Sequence, residues 1–162
     1  MNDVVLRLSG IDPQSPLAKV VSKRADILEL TQKTHDAALR PDNPGGLSHA
    51  FRAAIACRVA RLHEDDAFAG HFLGLLERAN PDEAARQIAD LGFKGADARS
   101  EALIAHTDMV GARPREATGK DIEKLRGAGV EEADIVRLSE LVAFVSYQLR
   151  VVAGLRLMRS LT

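Results

Sequence analysis

The sequence predicts an all-α fold, and three observations carry that expectation. Apolar residues recur three and four positions apart along most of the chain, the spacing of one helix face. These runs open at Ser, Thr or Asp and several close at Gly, the residue types that cap helices. Ala and Leu are frequent while Trp is absent and Tyr occurs once, the composition of closely packed helices, and no sustained polar/apolar alternation marks a strand.

About seven helices follow, the last one long. Residues 1–14 are expected to form a short arm. Ser15-Pro16 has the form of a start, a hydroxyl cap before a proline whose missing N–H costs nothing there. Leu17, Val20, Val21 and Leu28 give that first helix its apolar face, and the turn-rich run Arg40-Pro41-Asp42-Asn43-Pro44-Gly45-Gly46 ends it. Ser48 caps the second, which carries Phe51, Ile55, Val59 and Leu62 on one side and Ala53, Ala56 and Ala60 on the other, so it is expected to be central. Asp65 and Asp66 open the third, with Phe68, Phe72, Leu75, Leu76 and Ala79 facing the core. Asn80-Pro81-Asp82-Glu83 opens a short fourth that Gly92 closes, and Asp97 caps a fifth containing Leu103, Ile104 and Val110. Thr118 with Asp121 forms a capping pair for a sixth that carries Ile122 and Leu125 and ends at Gly127 or Gly129. The seventh runs from Glu131 to about Arg159 along a seam of Ile135, Leu138, Val142, Val145, Leu149 and Val152.

A chain of 162 residues fits one domain, 1–162, large enough to bury a core without staples. With 22 Lys and Arg against 23 Asp and Glu there is no net field to draw in nucleic acid, and none is expected as a partner. The start lacks a basic segment followed by a signal-length apolar run, and Glu140, Gln148, Arg150 and Arg156 interrupt the apolar stretch from Leu138 to Met158. A cytoplasmic location without membrane insertion is therefore expected. The one cysteine, Cys57, has no intramolecular partner, which excludes an internal disulfide or a dithiol couple within the chain.

Three stretches, in order and at matching spacing, give the chain a family likeness. They are Leu39-Arg40-Pro41 with Pro44-Gly45-Gly46-Leu47-Ser48 leading into Arg52 to Leu62; Thr118 to Gly129 with Glu131-Glu132-Ala133-Asp134-Ile135; and Ala143 to Arg150. Over about Ser15 to Ser160 the chain resembles the alkylhydroperoxidase D (AhpD) and carboxymuconolactone decarboxylase superfamily. The likeness is to its branch of domain proteins often encoded beside a second superfamily member. It implies an AhpD-like helical bundle assembled as a homo-oligomer, commonly a trimer or a dimer of trimers, or as a subunit with that second member. Active peroxidase members share the motif Glu-x11-Cys-x2-Cys-x3-His. Aligning His71 with the motif histidine places Ala67 and Glu64 at the cysteine positions, and the motif glutamate falls on Arg52, or on Ala53 after a one-residue deletion. The dithiol site is absent. The resemblance thus implies a peroxidase-related protein that acts as an oligomeric or partner subunit. An acid/base enzyme like the decarboxylase branch, which acts on lactones from aromatic breakdown, is the alternative.

The candidate residues follow from these readings. His71 is the candidate acid or base, and Glu64 is the other titratable group on the motif positions. Arg58 falls inside an apolar stripe, so its guanidinium either reaches water or meets a buried acid such as Glu140 or Asp134. Arg58 and Arg150 are the candidate carboxylate holders for an enzyme. Cys57 lies mid-helix, where it is either a small buried apolar residue or, for a monothiol antioxidant, a thiol made reactive by Arg58 or Arg61. His63-Glu64-Asp65-Asp66 with His71 has ligand-type residues but no metal-binding spacing, so neither a metal nor a cofactor is expected.

Overall fold

In the computed structural model, which describes residues 3–161, helices joined by loops make up the fold, and no strand occurs among the described residues. Nine α-helices lie among the described residues: α1 (Val4–Ser9), α2 (Pro16–Val21), α3 (Ala25–Leu39), α4 (His49–Leu62), α5 (Asp66–Arg78), α6 (Glu83–Ile88), α7 (Ala98–Ala112), α8 (Gly119–Gly127) and α9 (Glu132–Ser160). The expected caps form at Ser15, Ser48, Asp65 and Asp97, each accepting from a backbone N–H three residues on, and Thr118 with Asp121 closes a capping box.

Two additions raise the count from seven to nine. The expected arm contains α1, capped by Asp3 and ended by Gly10 in the left-handed conformation, with Val4 and Val5 buried. The first expected helix divides at Ser22–Arg24, a 3-10 turn in which the Ser22 hydroxyl bonds back to the Lys19 carbonyl at 2.9 Å and competes with the helical ladder. The fourth helix differs too. Asp82, not Asn80, caps α6, and Asn80 instead takes the left-handed conformation that ends α5. Nor does α6 reach Gly92, because the carbonyls of Ile88, Ala89, Asp90 and Leu91 turn toward two arginines of α4.

Helix α4 is the hub. It packs against α3, α5, α6, α7 and α9, and every residue from Arg52 to Ala60 is buried. Its small residues make this possible, since Ala53, Ala54, Ala56 and Ala60 let neighbouring helices approach on several sides. Arg58 is 0% exposed and meets a carboxylate, but that acid is Asp108 of α7. Glu140 is exposed, and Asp134 is engaged elsewhere. All five guanidinium N–H donors of Arg58 are used: Nε and Nη2 on Asp108, Nη1 on the Ile88 and Asp90 carbonyls, and Nη2 also on that of Leu91. The buried Arg52 likewise donates to the carbonyls of Leu47, Ala38 and Pro44, which staples the Pro44–Gly46 loop to the start of α4. From α9, Asp134 accepts from the Gly46 N–H at 3.1 Å. A Cβ on Gly46 would sit 2.1 Å from that carboxylate, so the loop needs glycine there.

Helix α9 spans the molecule and contacts α1, α3, α4, α7 and α8. Length and composition alone would let it cross a bilayer, but Asp134, Ser146 and Gln148 are buried with its apolar seam against the other helices. Near its end Arg156 donates to the Leu8 carbonyl and to Asp65, and Arg159 to the Gly10 carbonyl. These cations satisfy the C-terminal carbonyls of α1 and hold it on the bundle.

The Arg58–Asp108 pair gives a direct test of this core. Arg58→Ala strands a carboxylate and three backbone carbonyls, and is expected to lower stability by about 3 to 5 kcal/mol in urea unfolding. Arg58→Met restores volume without donors and is expected to recover only part of that loss. Wild-type stability in Arg58→Ala would contradict the network.

Candidate functional site

Three of the sequence candidates do not converge on a common site. Arg58 has no donor left for a ligand. Cys57 is fully buried in α4 and points its sulfur at the Ala69 carbonyl, 3.5 Å away, while burial raises the thiol pKa against a smaller opposing effect of Arg61. The thiolate needed for reactivity is therefore disfavoured. Arg150 lies exposed on α9 and makes no hydrogen bond or ion pair among the described residues. Glu64 sits at the tight α4–α5 turn with φ +56°, and the Asp65 N–H there bonds back to the Ala60 carbonyl at 3.0 Å.

His71 is where polar side chains do come together. From α5 it meets His35 of α3, Nε2 to Nε2 at 3.1 Å. Arg7 of α1 places Nη2 2.9 Å from His71 Nδ1, and His35 Nδ1 lies 2.9 Å from Gln148 Oε1 on α9. The direction of this chain follows from donor chemistry. A guanidinium only donates, so His71 Nδ1 must accept and its proton must lie on Nε2. That N–H donates to His35 Nε2, which puts the His35 proton on Nδ1, and the Gln148 carbonyl oxygen receives it. Four residues from four helices thus form one directed chain, Arg7 to His71 to His35 to Gln148, with both imidazoles neutral.

The surroundings favour that charge state. His35 is 3% exposed and stacks against Phe72 at a ring separation of 6.0 Å, with Phe144 edge-on at 6.5 Å. His71 is half-buried, 5.2 Å from the same Phe72 ring. Burial is the main cause that lowers the pKa of each histidine, and their own proximity with the Arg7 charge pushes His71 down to about 3. At its inner end the chain leaves the Gln148 amide nitrogen buried without a partner. Rotating the amide would satisfy that nitrogen no better and would break the bond to His35, so the orientation is set from the outside by Arg7.

Beside the chain lies an open groove of about 520 Å³ between the end of α1, the α4–α5 turn and the end of α9. Three arginines, Arg7, Arg156 and Arg159, and three carboxylates, Glu64, Asp65 and Asp66, line it, together with the Ala67 face of α5 one turn before His71. Arg7 belongs to both the groove and the histidine chain. Compared with known protein families, with curated proteins and with solved structures, the chain matches none.

The ligand-type run from His63 to His71 does not gather: His63 bonds the Gly111 carbonyl at 3.0 Å, Asp65 caps α5 and pairs with Arg156, and His71 turns to His35. Among the described residues no three metal-ligating side chains converge. Sequence reasoning missed Arg7, His35 and Gln148. His35 follows an ordinary helical face, Gln148 sits in an apolar run, and Arg7 lay in the presumed arm. The available signal for Arg7 was Asp3 and Gly10, a cap at each end of a short helix.

A neutral histidine pair makes stability pH-dependent. Because the folded state holds these protons less well than the unfolded chain, unfolding takes up protons below the ordinary histidine value. Stability is then complete above about 6.5 and falls as pH drops toward about 3. The urea midpoint is expected to fall between about pH 7 and about pH 5, before ordinary carboxylates titrate. In His71→Gln that slope should be shallower, what remains coming from His35 and from His106, a buried histidine of α7 whose pKa burial also lowers. A variant with the wild-type slope would show that His71 is protonated in the folded state.

Proposed function

We propose that the chain is a cysteine-independent acid/base protein of AhpD-like, carboxymuconolactone decarboxylase-related descent, in which His71 transfers a proton to or from a small organic substrate. The relationship to that superfamily rests on the three sequence stretches. The acid/base reading rests on one observation: the Arg7–His71–His35–Gln148 chain, which holds a half-buried neutral imidazole in a single tautomer beside a surface groove. A general base needs an orienting partner, and His35 is that partner. When His71 takes a proton on Nδ1, its Nε2–H remains donated to His35. Passing that proton to His35 Nε2 moves the charge one ring inward while Gln148 keeps its bond to His35 Nδ1. Arg7, rather than Arg58 or Arg150, supplies the positive charge beside the base.

Carboxylated lactones and oxo acids carry both an anionic group and an acidic C–H, which suits this pairing of cation and base. With such a panel in heavy water, proton NMR is expected to find protein-dependent C–H exchange of at least one compound. His71→Gln should slow it by about a hundredfold or more, and Cys57→Ser should leave it unchanged. Exchange at the wild-type rate in His71→Gln would remove the reading, as would thiol-dependent hydroperoxide reduction that Cys57→Ser abolishes.

A second reading, an oligomeric or partner subunit, has its own observation. Leu157 and Leu161 are 62% and 79% exposed at the end of α9, with Met158 between them, and Val136 and Tyr147 are exposed farther up the same helix. Apolar surface of this kind favours a covering partner. Light scattering is expected to give a multiple of the chain mass, and Leu157→Glu with Leu161→Glu should reduce it. A monomer at micromolar concentration and moderate salt would count against a homo-oligomer.

A further inference from the structure

We infer that Arg7 is an anion-operated gate on His71: a carboxylate entering the groove pairs with the Arg7 guanidinium, draws it off Nδ1, and so exposes the lone pair on which the base depends. The inference rests on the acid/base reading of His71 and adds how that base is masked and released.

The geometry supplies each part. In the structure Nδ1, the one nitrogen of His71 not directed at His35, is covered by Arg7. A substrate proton cannot reach it while that hydrogen bond stands. Arg7 is also the cation in this region best placed to move. Arg156 is tied to Asp65 and the Leu8 carbonyl, and Arg159 to the Gly10 carbonyl, whereas Arg7 is exposed and its side chain bonds a neutral imidazole. No carboxylate among the described residues lies within ion-pair distance of it. A carboxylate offers a guanidinium two charge-assisted bonds in a matching fork, which a single neutral nitrogen does not rival. The backbone that carries Arg7 stays fixed, because Arg156 and Arg159 clamp the two residues that flank Ser9. Release therefore needs side-chain torsions alone.

Unmasking also changes the base itself. With Arg7 turned away and its charge neutralised by the bound anion, His71 loses both a donor on Nδ1 and a repelling cation, so its affinity for a proton rises. The other groups that act on the pair stay in place: His35, Asp36 and Arg40 from α3 and Arg78 from α5, with Gln148 the uncharged contribution of α9. The substrate's own carboxylate thus turns a suppressed histidine into a working base, and an uncharged analogue leaves it masked.

The test reads the imidazole nitrogens directly, in the full chain labelled with ¹⁵N at histidine. Benzoate serves as the anion, with chloride at equal ionic strength as the control. Benzoate is expected to move the His71 Nδ1 resonance and raise the His71 pKa by about one unit or more, while chloride does neither. In Arg7→Ala the pKa should be raised already and benzoate should no longer change it. The gate is overturned if saturating benzoate leaves Nδ1 and the pKa unmoved, or if Arg7→Ala responds as wild type does. These readouts do not depend on turnover, so the two readings fail separately. An unmoved Nδ1 in a protein whose C–H exchange needs His71 removes the gate alone. A shifted Nδ1 without exchange on any compound keeps the anion response and removes the catalytic role.

Discussion

A helix buried on every side can carry a charged residue only if other elements deliver a partner for each of its donors. Helix α4 places two such residues in the core, and much of the molecule is arranged around them. Arg58 draws in the carboxylate of α7 and the carbonyls that follow α6, which is why α6 stops where it does. Arg52 gathers the carbonyls at the end of α3 and in the Pro44–Gly46 loop. An apolar side chain at position 58 would fill the space but would leave no reason for three carbonyls to turn inward. Burial makes the pair costly to break rather than strongly stabilising in itself, so its consequence is specificity of arrangement.

The histidine chain applies the same rule at the edge of the core. Its inner members are nearly inaccessible, and there a neutral hydrogen-bonded imidazole is cheaper than a charged one. The outer member, Arg7, is exposed, yet it decides the tautomer of both rings because a guanidinium cannot accept a hydrogen bond. The unpaired Gln148 amide nitrogen is the cost of that polarity, on the order of 1 to 3 kcal/mol for a buried donor. A chain kept for packing alone could have ended in an apolar residue at 148. Anchoring α1 through the terminal arginines of α9 therefore bears on chemistry as well as on the fold, since a loose α1 would free His71 Nδ1 permanently.

Helix α9 has two characters along one length. Its buried side carries an apolar seam with Gln148 and Asp134 at positions where partners wait, and its exposed side and end carry Val136, Tyr147, Leu157 and Leu161. The buried polar residues tie it to α3 and to the Gly46 loop, so it cannot slide without breaking two networks. The exposed apolar end lies on the last turns, interleaved with Arg156 and Arg159, which clamp α1.

Local chemistry was legible in the sequence because it depends on neighbours within one turn. Caps at Ser15, Ser48, Asp65, Asp97 and Thr118, the burial of α4 and the extent of α9 follow from residue type and spacing. An acid for Arg58 also follows from charge in an apolar stripe, but which acid does not: Asp108 lies fifty positions away, and only the packing of α7 on α4 selects it over Asp134 or Glu140. Cys57 and Arg150 looked like chemistry in one dimension and separate in three, one sealed among alanines and the other on the surface. His71 was visible from its place on α5. Its partners were not, because Arg7, His35 and Gln148 are brought together by three helix crossings, and no spacing along the chain encodes the 3 Å contacts that turn ordinary polar residues into a directed chain.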